Sequence, residues 1–413
     1  MNHCLVFLGL VFVVSALAVN TAAFGVDPAR RAAQIKAYQK KMINDEVTGS
    51  NLVVIGSVKG VEELSVVNSG RPGDRDVELK TVFPIWSMSK PITIVAMMTL
   101  HEQGKFNWDD PVAKYLPCFS SLRIKTGDKS REATETLTIE HLMAHRSGWS
   151  YYSGWEDGVP NNNSVKNPVP PAFDRPHPNQ TRFNDLQSFC DAIAKEPLEF
   201  EPGSQFLYGV NQAILGRLVE VLSGMNFQEY LTKTLFEPLR MVDTSFVMDE
   251  AKRARFQPLW INSDNLKGYT YLLNELTYSA TSSAHFGGEG LVSTASDYSN
   301  FCQMLVAGGM FEGKRILTQK SIDRMTKPIS VDIMSEMGQP SGMDMGYSVF
   351  VLRDATPEGS AAPAGVFGWS GYHNTHFWID PSNKIYVLWM SRAREFSFEI
   401  PQGLRTVIYG PAK

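Results

Sequence analysis

Ser87-Met88-Ser89-Lys90 sets a hydroxyl and an amine three residues apart, between the apolar approach Val82-Phe83-Pro84-Ile85-Trp86 and a helix-forming run from Ile92 to Gln103. On a helix, residues at i and i+3 share a face, so Lys90 would stand one turn above Ser87. A free serine hydroxyl is a poor nucleophile and needs an adjacent base. A lysine in apolar surroundings gives up its proton more readily and can fill that role. A helix N-terminus would add partial positive charge where an acyl oxyanion develops. The chemistry suggested is acyl transfer through a serine ester. The same tetrapeptide also reads as a surface Ser and Lys opening a helix, because the bare pattern recurs by chance.

Other chemistries fit the chain less well. The G-x-S-x-G elbow of a Ser-His-Asp hydrolase is absent, and its nearest approach, Gly368-Trp369-Ser370-Gly371-Tyr372, ends in tyrosine. His141 and His145 are four apart, as zinc ligands on a helix can be, but Leu142 stands where H-E-x-x-H has its glutamate. His373 and His376 read as rim or strand residues. The pattern implies no metal and no cofactor.

Several elements are needed to position Ser87 and Lys90. Pro28 to Met42 reads as an amphipathic helix, and Asn51 to Gly56 and Glu63 to Val67 read as short strands around a Gly60 turn. The helix opened by Ser87 should end near Gly104, a natural C-terminal cap. Helices follow at Ile139 to Ala144, Asp185 to Lys195 and Gln212 to Ser223, the last capped by Gly224. Beyond Gly290 come a helix at Ala295 to Val306 and strands at Tyr347 to Leu352, Thr375 to Ile379 and Ile385 to Met390. Strands at both ends with helices between them predict an α+β unit plus an all-helical subdomain. The cleft would lie at their junction. Tyr151 to Gln180 is a long Pro-rich stretch without periodicity. Tyr151, Tyr152 and Trp155 at its start suggest an aromatic cover over the pocket, with a solvated surface loop as the alternative.

Composition bounds the partners. The chain has 413 residues, 43% of them hydrophobic and 20% charged, with a formal net charge of −4. That is an ordinary globular balance with no basic field for nucleic acid. Cys4 to Val19 is apolar and ends in small residues, short of the about 20 residues that a bilayer span needs. It reads as a signal peptide over residues 1–23, with an uncleaved anchor as the alternative because the first residues lack Lys and Arg. The expected location is secreted or in an endomembrane lumen, with no membrane contact unless the anchor stays. Cleavage would leave Cys118, Cys190 and Cys302, an odd number matching no metal spacing. Asn162 and Asn179 head glycosylation sequons.

Further motifs accompany Ser87 and Lys90 in order. Tyr208 lies in Phe206-Leu207-Tyr208-Gly209-Val210-Asn211, and Trp369-Ser370-Gly371 precedes His376-Phe377-Trp378-Ile379. Leu137 to Leu142 with His145-Arg146-Ser147-Gly148, Glu201-Pro202-Gly203, Leu215 to Glu220 and Gly287 to Thr294 complete the set. From about Asp45 to about Arg392 the chain resembles the serine β-lactamase and penicillin-binding-protein superfamily. It is most similar to the esterase branch, the family VIII carboxylesterases and related acyltransferases. The resemblance implies a β-lactamase/transpeptidase-like α+β fold over residues 24–413, an antiparallel sheet flanked by helices. Its α/β part would take in about 24–104 and 285–413, and the helical part about 105–284. Lys125-Thr126-Gly127 and Ser263-Asp264-Asn265 spell further superfamily motifs, but their places in the chain mark them as coincidences.

By the same resemblance, Ser87 is the acyl-accepting nucleophile, Lys90 its proton partner, and Tyr208 a second base that also protonates the leaving alkoxide. The backbone N–H groups of Ser87 and Tyr372 would form the oxyanion hole, the second after a Trp369-Ser370-Gly371 turn. Trp369, Gly371, Tyr151 and Trp155 would contact the substrate. Trp369 stands where β-lactam-active members carry a lysine, and Val210 where they carry an asparagine, with Asn211 one residue on. Both departures point to neutral small-molecule esters. An ester hydrolase, an acyltransferase using the same acyl-enzyme, and an idle binding or structural module are the three readings left open.

Overall fold

The computed structural model describes residues 28–150, 183–263, 266–270, 284–332 and 342–413. The signal segment, both sequons, Tyr151, Trp155 and the Pro-rich stretch lie outside the described residues.

The two ends of the chain share one seven-stranded antiparallel sheet. Strands β1 (Asn51–Ser57) and β2 (Gly60–Val67) form its N-terminal hairpin. The C-terminal strands are β11 (Met343–Met345), β12 (Phe350–Leu352), β13 (Phe367–Gly371), β14 (Thr375–Asp380) and β15 (Ile385–Met390). The spatial order is β11-β12-β13-β14-β15-β1-β2. Leu52 opposite Met390 and Val53 opposite Trp389 fix the register that joins the two ends. Side chains alternate between faces of a strand, and here both faces are covered. Leu52, Val54, Leu388 and Met390 enter the main core, whereas Val53, Ile55, Val387 and Trp389 enter a second. Helices α1 (Pro28–Asn44) and α7 (Glu399–Tyr409) roof the second core with Ile35, Met42, Ile400, Leu404 and Ile408. Each fully buried Leu, Ile or Val contributes roughly 1.5–3 kcal/mol, so cover on both faces explains the continuous apolar runs of β1 and β15.

Helix α2 (Ser89–Glu102) crosses the main core and is buried from Ser89 to Leu100. A helix apolar all round belongs inside. It ends where Gly104 takes a left-handed φ of 70°, as its composition predicts. Helices α3 (Ile139–Met143), α4 (Leu186–Ile193), α5 (Asn211–Ser223) and α6 (Ala295–Val306) pack around this core.

The middle of the chain differs from the all-helical expectation. It carries the hairpins β4 (Arg123–Thr126) with β5 (Lys129–Glu132) and β6 (Leu259–Ser263) with β7 (Leu266–Thr270). Lys125-Thr126-Gly127 runs into the tight turn of the first, and Lys125 is exposed and paired with Glu199. Ser263 ends β6, while Asp264 and Asn265 lie outside the described residues. Short strands β3 (Val82–Pro84) and β8 (Val292–Thr294) pair beside α2, and β9 (Met310–Phe311) pairs with β10 (Lys314–Arg315).

Candidate active site

Ser87 sits on a short 3-10 turn, Trp86–Met88, that leads into α2, rather than on the α-helix itself. The difference from expectation preserves the geometry, because residues i and i+3 eclipse even more closely on a 3-10 turn. Ile85 C=O accepts the Met88 N–H at 2.9 Å, and Ile85 N–H donates to Leu291 C=O at 3.0 Å. Tyr298 of α6 donates its hydroxyl to Met88 C=O at 3.0 Å. Trp86 has a left-handed φ of 45°, an uncommon and strained state for a bulky residue. Ring contacts at 5.7 Å from Tyr372 and 4.8 Å from His373 hold it there.

Lys90 is fully buried, with Nζ 3.0 Å from Ser87 Oγ and 2.6 Å from the Gly288 carbonyl. One turn on, Thr93 Oγ1 donates to Gly287 C=O at 2.7 Å, so one face of α2 grips the Gly287-Gly288 backbone. Tyr208 Oη is 2.8 Å from Ser87 Oγ, and Lys90 Nζ lies 4.8 Å from the Tyr208 ring centre. A serine oxygen thus faces an amine and a phenol at once. The three groups can pass one proton among them without moving. Ser89 is fully buried and its Oγ accepts the Leu291 N–H at 3.2 Å, so it turns away from Ser87.

Trp369-Ser370-Gly371 belongs to strand β13, not to a turn. Its backbone pairs with β14, Trp369 opposite Phe377 and Gly371 opposite Thr375. Strand pairing therefore overrides a local composition with two glycines and no β-branched residue. Trp369 is half-buried with its ring 5.7 Å from that of Tyr208. Gly371 abuts the Ser87 turn so closely that a Cβ there would collide with the Ile85 carbonyl. Tyr372 follows at once, which brings the end of β13 against Trp86. Ser370 Oγ is 2.7 Å from Nδ1 of buried His376.

The remaining sequence candidates take structural roles. The side chain of Asn211 is buried and donates to His145 Nδ1 at 3.0 Å. His141 closes a capping box with Thr138 at the start of α3. His373 is buried against Trp86 and Tyr372. Arg392, just past β15, is buried over Phe256 and donates to Gln257 C=O at 2.9 Å. Motif reading missed the Gly288 carbonyl, the strained Trp86 and the burial of His145. The Gly287-Gly288 and His145-Arg146-Ser147-Gly148 runs were visible, but nothing in their types says what they touch.

Comparison with known proteins identifies the family and the fold. A family model described as Beta-lactamase matches residues 35–402. Esterase EstB of Burkholderia gladioli is 24% identical over 429 residues, covering 96% of this chain and 100% of its own. Protein Rv1367c of Mycobacterium tuberculosis is 27% identical over 339 residues, 78% of this chain and 79% of that protein. Among solved structures, EstCE1, described as a hydrolase with promiscuous acyltransferase activity, has a TM-score of 0.74 at 20% identity, covering 92% of this chain and 99% of that one. The simvastatin synthase LovD of Aspergillus terreus has a TM-score of 0.71 at 18% identity, covering 93% and 98%. These likenesses show a β-lactamase/transpeptidase-like fold. With the family model spanning most of its length, the chain belongs to the Beta-lactamase family.

Proposed function

We propose that this protein is a serine hydrolase that cleaves carboxylic esters through a covalent acyl-enzyme on Ser87. The observation that carries the reading is the placement of Ser87 Oγ within hydrogen-bond reach of both Lys90 Nζ, at 3.0 Å, and Tyr208 Oη, at 2.8 Å. In acylation the Ser87 oxygen bonds to the ester carbonyl carbon and its proton passes to the Lys90–Tyr208 pair. The carbonyl electrons collect on oxygen, facing the N–H groups of Ser87 and Tyr372. Collapse breaks the bond to the alcohol, and Tyr208 returns the proton to the leaving alkoxide. Water then repeats the sequence on the acyl-enzyme and releases the acid.

Trp369 supports a neutral substrate. A carboxylate leaving water needs a charged or well-bonded partner, and an indole supplies one N–H and no charge. An acyltransferase would use the same steps with an alcohol or amine in place of water, and the promiscuous acyltransferase activity of the similarly folded EstCE1 favours this second reading.

The test combines a fluorophosphonate probe with p-nitrophenyl acetate, p-nitrophenyl butyrate and benzylpenicillin, using Ser87→Ala as control. Labelling and ester turnover that both vanish in the variant, with poor penicillin turnover, are expected. Labelling without hydrolysis that gains turnover on adding an acceptor alcohol would select the transferase. No labelling of the wild type would leave an idle module. Faster turnover of benzylpenicillin than of butyrate would overturn the argument from Trp369.

A further inference from the structure

Behind Tyr208 lies a buried polar cluster that the acylation steps do not use. His145 and Ser348 are fully buried non-glycine residues with left-handed φ values of 55° and 52°. Such backbone costs roughly 1–3 kcal/mol per residue and persists only where its surroundings enforce it. The two side chains meet, with Ser348 Oγ 3.3 Å from His145 Nε2. The Gln212 amide lies 3.1 Å from the same nitrogen and 2.6 Å from Ser348 Oγ. On the other side of the ring, the Gly209 N–H and the Asn211 amide point at Nδ1 from 3.3 and 3.0 Å. The His145 carbonyl accepts the Leu207 N–H at 2.8 Å. Thus His145 binds the backbone on both sides of Tyr208, and its ring centre is 4.8 Å from the phenol's.

The donors decide the tautomer. A backbone N–H can only donate, so Nδ1 must carry a lone pair and the proton must sit on Nε2. The Gln212 orientation that presents Oε1 to both the imidazole N–H and the Ser348 hydroxyl gives that oxygen two donors. The reverse orientation leaves Oε1 buried without a partner. An imidazolium would set an N–H against the Gly209 N–H. The titratable groups facing the ring are Lys90 and Tyr208, while Asn211, Gln212 and Ser348 stay neutral. Burial, and then the Lys90 charge, hold its pKa well below the ordinary histidine value.

We infer that His145 is the positioning residue for Tyr208, a neutral Nε2–H imidazole whose Nδ1 and carbonyl clamp Leu207 to Gly209 and set the phenol against Ser87. The inference rests on the acyl-enzyme reading above. It assigns the clamp to a hydrogen-bond acceptor, not to the ring as such, and that makes it separable from plain packing.

Two substitutions divide those roles. His145→Asn keeps a short acceptor and suits a left-handed backbone, whereas His145→Phe keeps a buried ring and no acceptor. Misplacing the phenol should lower kcat for p-nitrophenyl butyrate about 10–100-fold in His145→Phe with KM little changed, and His145→Asn should recover to within about fivefold of wild type. The labelling rate with a fluorophosphonate should fall in parallel, which keeps the test alive for any acyl substrate. Two-bond 15N–1H spectra of the wild type, which need no variant to fold, should show Nε2 protonated and Nδ1 bare from about pH 6 to 9. A protonated Nδ1 anywhere in that range would overturn the inference, as would wild-type labelling and kcat in His145→Phe. A wild type that labels but hydrolyses no ester would instead defeat the ester reading and leave the clamp standing.

Discussion

Gly371→Ala tests whether the end of β13 is a wall of the acylation site. The added Cβ would fall about 1 Å inside van der Waals contact of the Ile85 carbonyl oxygen and of Thr375 Oγ1. Thr375 can rotate its hydroxyl away. Ile85 cannot yield as easily, because its carbonyl accepts the Met88 N–H that closes the Ser87 turn and its N–H is tied to Leu291. Relief therefore moves β13 and Tyr372 outward by roughly 1 Å, and an error of that size costs about 10²-fold in rate, or about 2.7 kcal/mol of transition-state stabilisation. Overpacking should also cost about 1–3 kcal/mol of stability. The assay is kcat/KM on p-nitrophenyl butyrate beside the fluorophosphonate labelling rate and a thermal melt. The expected variant folds with a lowered Tm, keeps KM nearly unchanged and loses about two orders of magnitude in kcat. Activity within about threefold of wild type would mean that the Tyr372 N–H does not serve the oxyanion, since a single lost donor costs about 10²–10³-fold.

Lys90→Ala and Tyr208→Phe should each slow labelling by about 10²–10⁴-fold, and the double variant should be far less impaired than the product of the two, because both handle one proton. Full multiplicativity in the labelling rates would show independent action. Trp369→Lys should raise the ratio of benzylpenicillin to butyrate turnover about tenfold, the worth of one charge-assisted hydrogen bond. Both absolute rates should fall, since Trp369 packs against the two cores, and an unchanged ratio would remove this position from substrate selection. His376 titrates down at about 3 because burial, and then the Arg405 charge, disfavours its protonated form. The unfolded chain therefore binds more protons than the native one between that value and the usual histidine pKa, and stability is lost as pH falls through this window. His376 alone should cost about 2 kcal/mol between pH 7.5 and 5. Denaturant melts at the two pH values check this, and His376→Asn should flatten the dependence. An equal slope in the variant would assign it elsewhere.

Much of the site was legible because its key spacing is local. Ser87 and Lys90 meet across a single turn, so any helical turn there brings them together, and the 3-10 turn does so as well as the expected α-helix. The C-terminal caps at Gly104 and Gly224 were equally local, each a left-handed position that glycine fills without strain. Strand β13 was not legible. Phe367-Gly368-Trp369-Ser370-Gly371 lacks a strand's composition and becomes one only through its ladder to β14. The hairpin β4–β5 escaped for a related reason, since both strands are short and mostly exposed, with no buried face to impose a period-two pattern.

The amino-acid sequence by itself carried the three-residue spacing of Ser87 and Lys90 and the α+β class, and its resemblance to the superfamily pointed to Tyr208 and to a tryptophan in place of a lysine at 369. These are statements about residue types and short spacings, which a chain carries before it folds. Only the tertiary structure decided what surrounds them. Lys90 Nζ is held by a carbonyl from Gly288, 198 residues away, and Tyr208 reaches Ser87 across 121. The clamp on Tyr208 is assembled from His145, Gln212 and Ser348, the last 203 residues from the first. Contacts at such separations depend on β1 pairing with β15 and on α2 threading the core, and no local spacing encodes them. A backbone carbonyl has no side-chain identity to read, and a buried histidine looks the same in sequence whether it ligates, caps or clamps.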